Sequence, residues 1–331
     1  MKTAIISDIH VDVNKNYDVT GEIISYLKKN NIELLIIAGD ISSDPEKTIA
    51  TIDNLEKQSG VKVLYVPGNH DLWNKDGKYE SNDAIYEMYC KDEHCLSGKC
   101  FETDEHIIIG DVAWFDYSFG NTMYSKEEFD KMSMDGRTWQ DYLFNTWSKD
   151  NVEKSDWFIK KFEEAILKNR VDIEQIKLKT EFGAELKTEC KYELKSEIDK
   201  AKSHISGGVL NLVKDVGDMA ENQVKYKPVT AHKKIVLVTH MLSNKAFTVP
   251  EDVTGVNWKY FNAFLGSKAL QELCEKYSDD IDYAICGHVH YRKTVVENRV
   301  TYMCRCLNYH KEWLNDNLRE QVEGAIEVVD L

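Results

Sequence analysis

Thr3-Ala4-Ile5-Ile6-Ser7-Asp8-Ile9-His10 opens the chain with an apolar run that ends in a carboxylate and an imidazole two residues apart. The arrangement recurs down the chain. Leu34-Leu35-Ile36-Ile37 runs into Gly39-Asp40, and Val63-Leu64-Tyr65-Val66 into Gly68-Asn69-His70-Asp71. Ile235-Val236-Leu237-Val238 precedes His240, and Tyr283-Ala284-Ile285-Cys286 precedes Gly287-His288-Val289-His290. Short apolar runs rich in β-branched residues and ended by Gly, Pro or polar residues read as buried strands. Loops after buried strands are held by a rigid scaffold and converge at one rim of a sheet. A lone Asp or His after a strand is commonly a helix cap or a turn residue. Five such blocks in order, each at a strand end, point to one shared pocket. In Asp8-x-His10 and His288-x-His290, residues two apart on an extended segment face the same side and can clasp a common centre. Together the blocks supply oxygen and nitrogen ligands in the number that a two-metal hydrolytic site needs.

The 331 residues suffice for one large domain or two small ones. Hydrophobic content of 42% and charged content of 30% are those of an ordinary globular protein. No apolar run approaches the length of a membrane span, and Asp8 falls inside what would be the apolar core of a signal peptide. The expected location is therefore cytoplasmic, with no membrane partner. The eight cysteines are then expected as reduced thiols. Cys90, His94, Cys95 and Cys100 form a denser group, but their spacing does not match the usual zinc clasp. Net charge is −15, and its distribution matters more than its sum. Residues 121–232 hold 19 Lys and Arg against 21 Asp and Glu, and the rest of the chain holds 23 against 36. The portion that carries the motifs lacks the basic field that long nucleic acids require, which favours a small phosphorylated substrate over duplex DNA. There is no Gly-x-Ser-x-Gly elbow, no P-loop and no Gly-x-Gly-x-x-Gly to support a protein nucleophile or a nucleotide cradle.

In its motifs the chain resembles the calcineurin-like metallophosphoesterases, whose pattern is Asp-x-His, Gly-Asp, Gly-Asn-His-Asp/Glu, a lone His, and Gly-His-x-His. The resemblance covers about 1–120 and 233–331. It implies a two-sheet αββα sandwich and two divalent metal ions. Asp8, His10, Asp40 and His290 are implied ligands of the first ion, and Asp40, Asn69, His240 and His288 of the second, with Asp40 bridging. The mixed oxygen and nitrogen set suits Mn, Fe or Zn better than Ca or Mg. A metal-bridging hydroxide would attack phosphorus. His70 would face the phosphate and protonate the leaving oxygen, with Asp71 orienting its imidazole. Purple-acid-type relatives carry a tyrosine where this chain has Ser43. Some nuclease-type relatives carry an acidic residue there, and here Asp44 falls one position later.

Between Ile107-Ile108-Ile109 and Ile235-Val236 the pattern changes. No proline occurs from 121 to 227, and apolar residues recur at helical spacing. Ile159, Phe162 and Ile166 share one face, then Ile173 and Ile176, then Leu194, Ile198, Ala201 and Ile205. Residues 121–232 are expected to form a helical insertion. It serves either as a cap that selects substrate or as an arm for homo-oligomerisation or remote packing. Asp116, Tyr117 and Arg292 are candidate substrate contacts, Arg292 through a phosphate. Ser267 is expected to cap a helix running to about Tyr277. The function expected is hydrolysis of a small phosphomonoester or phosphodiester. The alternatives are a metal-dependent nuclease and a non-catalytic scaffold that binds a partner on the same fold.

Overall fold

A computed structural model of the protein describes residues 1–169 and 233–331. All five motif-bearing runs are strands. The first sheet joins β1 (Lys2–Ile6), β2 (Leu34–Ala38), β3 (Lys62–Val66) and β12 (Glu327–Asp330) in the order β12-β1-β2-β3. β1, β2 and β3 are parallel, and β12 runs antiparallel to β1. The second sheet contains β4 (Cys100–Glu102), β5 (His106–Asp111), β8 (Lys234–Thr239), β9 (Ile281–Cys286), β10 (Arg292–Glu297) and β11 (Val300–Arg305). Its order is β10-β11-β9-β8-β5-β4, with β5, β8, β9 and β11 parallel and an antiparallel strand at each edge. β6 (Ser133–Met134) and β7 (Arg137–Thr138) form a separate hairpin.

Every residue of β2 is buried, which explains its unbroken apolar run: a parallel strand covered on both faces has no polar side. The core between the sheets takes alternate residues from each strand. Leu34, Ile36, Ala38, Leu64 and Val66 meet Ile108, Val236, Val238, Ile285 and Met303. Each Leu, Ile, Val or Met side chain among them contributes about 1.5–3 kcal/mol by leaving water. The outer face of the first sheet is flanked by α1 (Val19–Lys29), α2 (Pro45–Ser59) and α6 (Leu318–Ala325); α1 packs against both of the others. α2 begins where Asp44 accepts the Glu46 and Lys47 amides with Pro45 in the first turn, and it ends at Gly60 with φ 73°. α3 (Asn82–Lys91) follows the third motif. α5 (Lys268–Lys276) is capped by Ser267, as the sequence predicts.

The sheets are stitched together at the motif-bearing rim. Ser7, just past β1, forms a parallel bridge with Cys306, just past β11. The Ser7 amide donates to Arg305 and the Leu307 amide to Ser7, at 2.8 and 2.9 Å. The strand ends of both sheets therefore open on the same space.

Met1–Ala165 and Lys233–Leu331 form one compact unit, and Ile166–His232 a second. From 121 to 150 the chain forms short helices and the β6–β7 hairpin instead of long amphipathic helices. α4 starts at 151 and is helical to 169. Its buried face runs through Phe158, Phe162 and Ile166, with Ile159 half-buried beside it. The helical periods expected around Ile173 and Leu194 lie outside the described residues. No helix among the described residues is long and apolar enough to cross a membrane.

Candidate metal centre

At the rim the backbone turns sharply so that side chains enter the cleft. Asp8, His10, Asp40, His288 and His290 all adopt positive φ, between 40° and 73°. For residues with a Cβ this region costs about 1–3 kcal/mol each and persists only where the surroundings enforce it. Here they do: the Asp8 amide donates to Gly39 and the His10 amide to Asp40. Two motif glycines are required by close approach. A Cβ at Gly68 would lie 2.1 Å from Asp40 Oδ1, and one at Gly287 would lie 2.5 Å from Asp8 Oδ2.

Three sets of side chains could each hold a metal ion: Asp8, His10 and His290; His10, Asp40 and His70; and Asp40, His240 and His288. Asp40 reaches both sides of the cleft. Its Oδ1 lies 3.3 Å from His240 Nε2, and its Oδ2 lies 3.7 Å from His10 Nε2. Asn69 Oδ1 sits 3.0 Å from both His240 Nε2 and His288 Nδ1. On the other side His290 Nε2 is 3.3 Å from His10 Nε2 and 3.5 Å from Asp8 Oδ1. All seven residues that the motifs nominate as ligands are thus gathered around one cleft.

Three of the imidazoles are tied down by the nitrogen facing away from the cleft. His240 Nδ1 donates to Ala38 O at 2.9 Å and His288 Nε2 to Phe264 O at 3.2 Å. His290 Nδ1 meets Glu312 Oε2 at 2.6 Å. Carbonyls only accept, so His240 and His288 spend a proton outward and aim the other nitrogen inward, the arrangement that prepares an imidazole for a cation.

The electrostatics ask for positive charge. Burial works against the Asp8 and Asp40 carboxylates, yet imidazole charges hold both below the usual range: His290 and His240 act on Asp8, and His240, His70 and His10 on Asp40. Burial likewise disfavours the charged form of His240, but Asp40 pushes it up to about 9. His288, buried beside the His240 charge, falls to about 4. A cluster that draws protons onto buried imidazoles to balance buried carboxylates is one that a divalent cation fits, since the cation supplies the same charge at the same nitrogens.

His70 stacks on Trp73 with ring centroids 3.6 Å apart. Its Nδ1 lies 3.3 Å from Ser43 Oγ and its Nε2 3.4 Å from the Tyr309 hydroxyl. Burial, with the charges of His10 and His240, lowers it to about 3 against the pull of Asp40. Asp71 does not orient this ring. Its carboxylate accepts the Gly68 amide at 2.7 Å, the Ser42 amide at 2.9 Å, the Ile41 amide at 3.1 Å and the Thr48 hydroxyl at 2.7 Å. Neighbours in sequence diverge here because the turn after Asn69 sends the two side chains opposite ways. Asp71 knits the second and third motif loops together, and Ser43 is the partner of His70. Burial and the nearby Asp40 charge push the Asp71 carboxyl up to about 7, against those hydrogen bonds.

The three expected substrate contacts do not line the cleft. Asp116 accepts from Ser118 and from the Ser267 hydroxyl, bracing the start of α5. The Tyr117 hydroxyl is buried between Asp130 and Asn151. Arg292 turns back along the second sheet to Cys306 O, Leu307 O and Gln321. The cleft, about 250 Å³, is instead walled by Trp73, Trp139, Gln140, Asp141 and Tyr309 around the motif residues. Trp139, Gln140 and Asp141 belong to the chain that interrupts the core between β5 and β8. Tyr309 and Glu312 lie on one turn after β11. No periodicity or motif marks any of them, since each lies on a loop or on a helix of a single turn.

The sequence profile of the calcineurin-like phosphoesterases matches residues 1–292. Among solved structures, the chain is similar to the phosphopantetheinyl hydrolase PptH from Mycobacterium tuberculosis, at 16% identity over 99% of this chain and 95% of that one, with a TM-score of 0.60. It is also similar to a dimetal phosphatase from Danio rerio, at 10% identity over 92% of this chain and 86% of that one, with a TM-score of 0.42. At such identities the first likeness shows the fold alone, and the second adds nothing to it. No curated protein matches the sequence.

Proposed function

The chain belongs to the calcineurin-like phosphoesterase family, and from that premise we propose that it hydrolyses a small phosphorylated ester, a phosphomonoester or phosphodiester, using two divalent cations of the Mn, Fe or Zn class. The observation that carries this reading is the convergence of inward-facing imidazole nitrogens on two buried carboxylates and one amide oxygen. Asp8, His10 and His290 would hold one ion, Asn69, His240 and His288 the other, and Asp40 both. Bound there, the cations supply Lewis acidity toward phosphoryl oxygens and lower the pKa of water.

The chain's own residues divide the remaining work. Trp73 and Ser43 fix the plane and rotation of His70, so that Nε2 faces the cleft. An anionic phosphate beside that ring favours its protonated form, which burial otherwise opposes, and so prepares it to donate to a leaving oxygen. Burial and the Asp40 and Asp8 charges keep the Tyr309 hydroxyl protonated, as a second donor beside His70. Trp139 and Gln140 wall the opening, which supports assigning substrate selection to the first part of the 121–232 insertion. The small cleft and the acidic catalytic portion favour a small substrate over duplex nucleic acid.

The test is hydrolysis of p-nitrophenyl phosphate against bis-p-nitrophenyl phosphate by metal-free protein reloaded with Mn, beside His70→Ala. Preference for the monoester assigns a phosphatase, and preference for the diester a phosphodiesterase. The diester panel then includes a phosphopantetheinyl ester, the class for which the M. tuberculosis neighbour is named. Loss of turnover in His70→Ala with metal retained supports the proton-donor role. Bound metal with no turnover on any phosphoester sinks the hydrolase reading in favour of a scaffold.

A further inference from the structure

Asp141 lies in the cleft wall, outside all five motifs, and is only 2% exposed. Its carboxylate is surrounded by N–H donors. Trp73 Nε1 donates at 2.6 Å, Trp139 Nε1 at 2.7 Å, Asn145 Nδ2 at 2.8 Å, and Asn69 Nδ2 at 2.9 and 3.1 Å to the two oxygens. A carboxylate with about four lone-pair sites is saturated by this set.

The consequence falls on Asn69. An amide can present either its oxygen or its nitrogen to the cleft, and nothing in its own shape decides between them. Burial raises the Asp141 carboxyl against these hydrogen bonds, but both of its oxygens already accept from indole N–H groups, which can only donate, so the group of Asn69 that faces it is the NH2. The oxygen is then turned to the opposite side, where it sits 3.0 Å from His240 Nε2 and from His288 Nδ1. Flipping the amide would set two oxygens against each other at Asp141 and aim N–H groups at a cation.

We propose that Asp141 is a positioning residue that locks the Asn69 amide with its oxygen toward the second metal position, so that the chain interrupting the core completes the metal centre. The proposal rests on the metal-dependent reading above. The same carboxylate holds the indoles of Trp73, which backs His70, and of Trp139, which walls the opening. Metal ligand, proton donor and substrate wall therefore share one anchor. An outer partner of this kind typically changes metal affinity by about 10–100-fold.

The experiment is stepwise Mn binding by calorimetry, with metal content counted after gel filtration. It compares the wild type, Asp141→Ala, Asp141→Asn, Asn69→Ala and the Asn69→Ala/Asp141→Ala double variant. Urea denaturation of each metal-free protein serves as the folding control. The wild type is expected to bind two ions. Asp141→Ala should weaken one of them by about 10–100-fold and leave the other unchanged. Asp141→Asn, which keeps shape and one accepting oxygen, should fall between, and it carries the test if Asp141→Ala fails to fold. The double variant should bind as Asn69→Ala does, because a residue acting only through Asn69 has no effect once Asn69 is gone. Additive losses in the double variant would overturn the proposal, as would two ions at wild-type affinity in both Asp141 variants. A wild type that binds no Mn would overturn the metal-dependent reading itself.

Discussion

The two halves of the candidate metal centre are built alike at the front and differently behind. Around Asp40, Asn69, His240 and His288 each inward atom has a fixed support. His240 is tied to Ala38 O, His288 to Phe264 O, Asn69 to Asp141, and Asp40 Oδ1 accepts the His70 amide at 3.0 Å. Around Asp8, His10 and His290 the support is thinner. Asp8 accepts the His288 amide, and His290 leans on Glu312, whose side chain is 38% exposed. His10 Nδ1 is buried with no hydrogen-bond partner among the described residues. A cation gains most where its ligands are already held in place, because less ordering is left to oppose binding. The half around His240 should therefore be the tighter site and the half around His10 and His290 the looser one.

The largest effect should come from the residue the two halves share. Asp40→Ala removes an oxygen from each, and loss of both cations should lower phosphoesterase activity about 1000-fold or more. Elemental analysis would check it, and wild-type metal content in this variant would refute the shared role. Asp71→Ala should act on the scaffold of the tight half. It leaves the Gly68, Ser42 and Ile41 amides and the Thr48 hydroxyl without their acceptor, and should cost about 3 kcal/mol in urea denaturation. A change under about 0.5 kcal/mol would mean that water replaces the carboxylate. Glu312→Gln tests the loose half alone. It should weaken the second, lower-affinity Mn by about tenfold in calorimetry and spare the first. Equal weakening of both would erase the difference between the halves.

Metal loading should also depend on pH. In the metal-free protein Asp40 draws a proton onto His240, up to about pH 9 despite burial. Below that pH a cation must displace the proton, so apparent affinity should rise by about tenfold per unit between pH 6 and 8 and release a proton on binding. Calorimetry in two buffers of different ionisation enthalpy measures that release. Affinity independent of pH would show that His240 is not a ligand.

Legibility in the sequence followed the kind of backbone that carried each residue. The seven candidate ligands end regular strands, where apolar runs announce both the element and the turn that follows. The candidate substrate contacts lie away from the cleft for a physical reason. Asp116 and Tyr117 also follow a strand, but Ser267, Asp130 and Asn151 consume their polar atoms in packing. The true wall comes from Trp139, Asp141 and Tyr309, on short irregular segments far apart in the chain, where no period exists to read. Asp71 and His70 are adjacent along the chain, yet their side chains meet different partners.

By itself the sequence determined the strands and the types and order of the candidate ligands. Those depend on local composition and on the two-residue period of a strand. Only the tertiary structure decided which atom of each candidate ligand faces the cleft, which carboxylate the Asn69 amide meets, and what walls the opening. Those depend on hydrogen bonds between residues as distant as His290 and Glu312, or Asn69 and Asp141, which exist only once the two sheets have closed on each other.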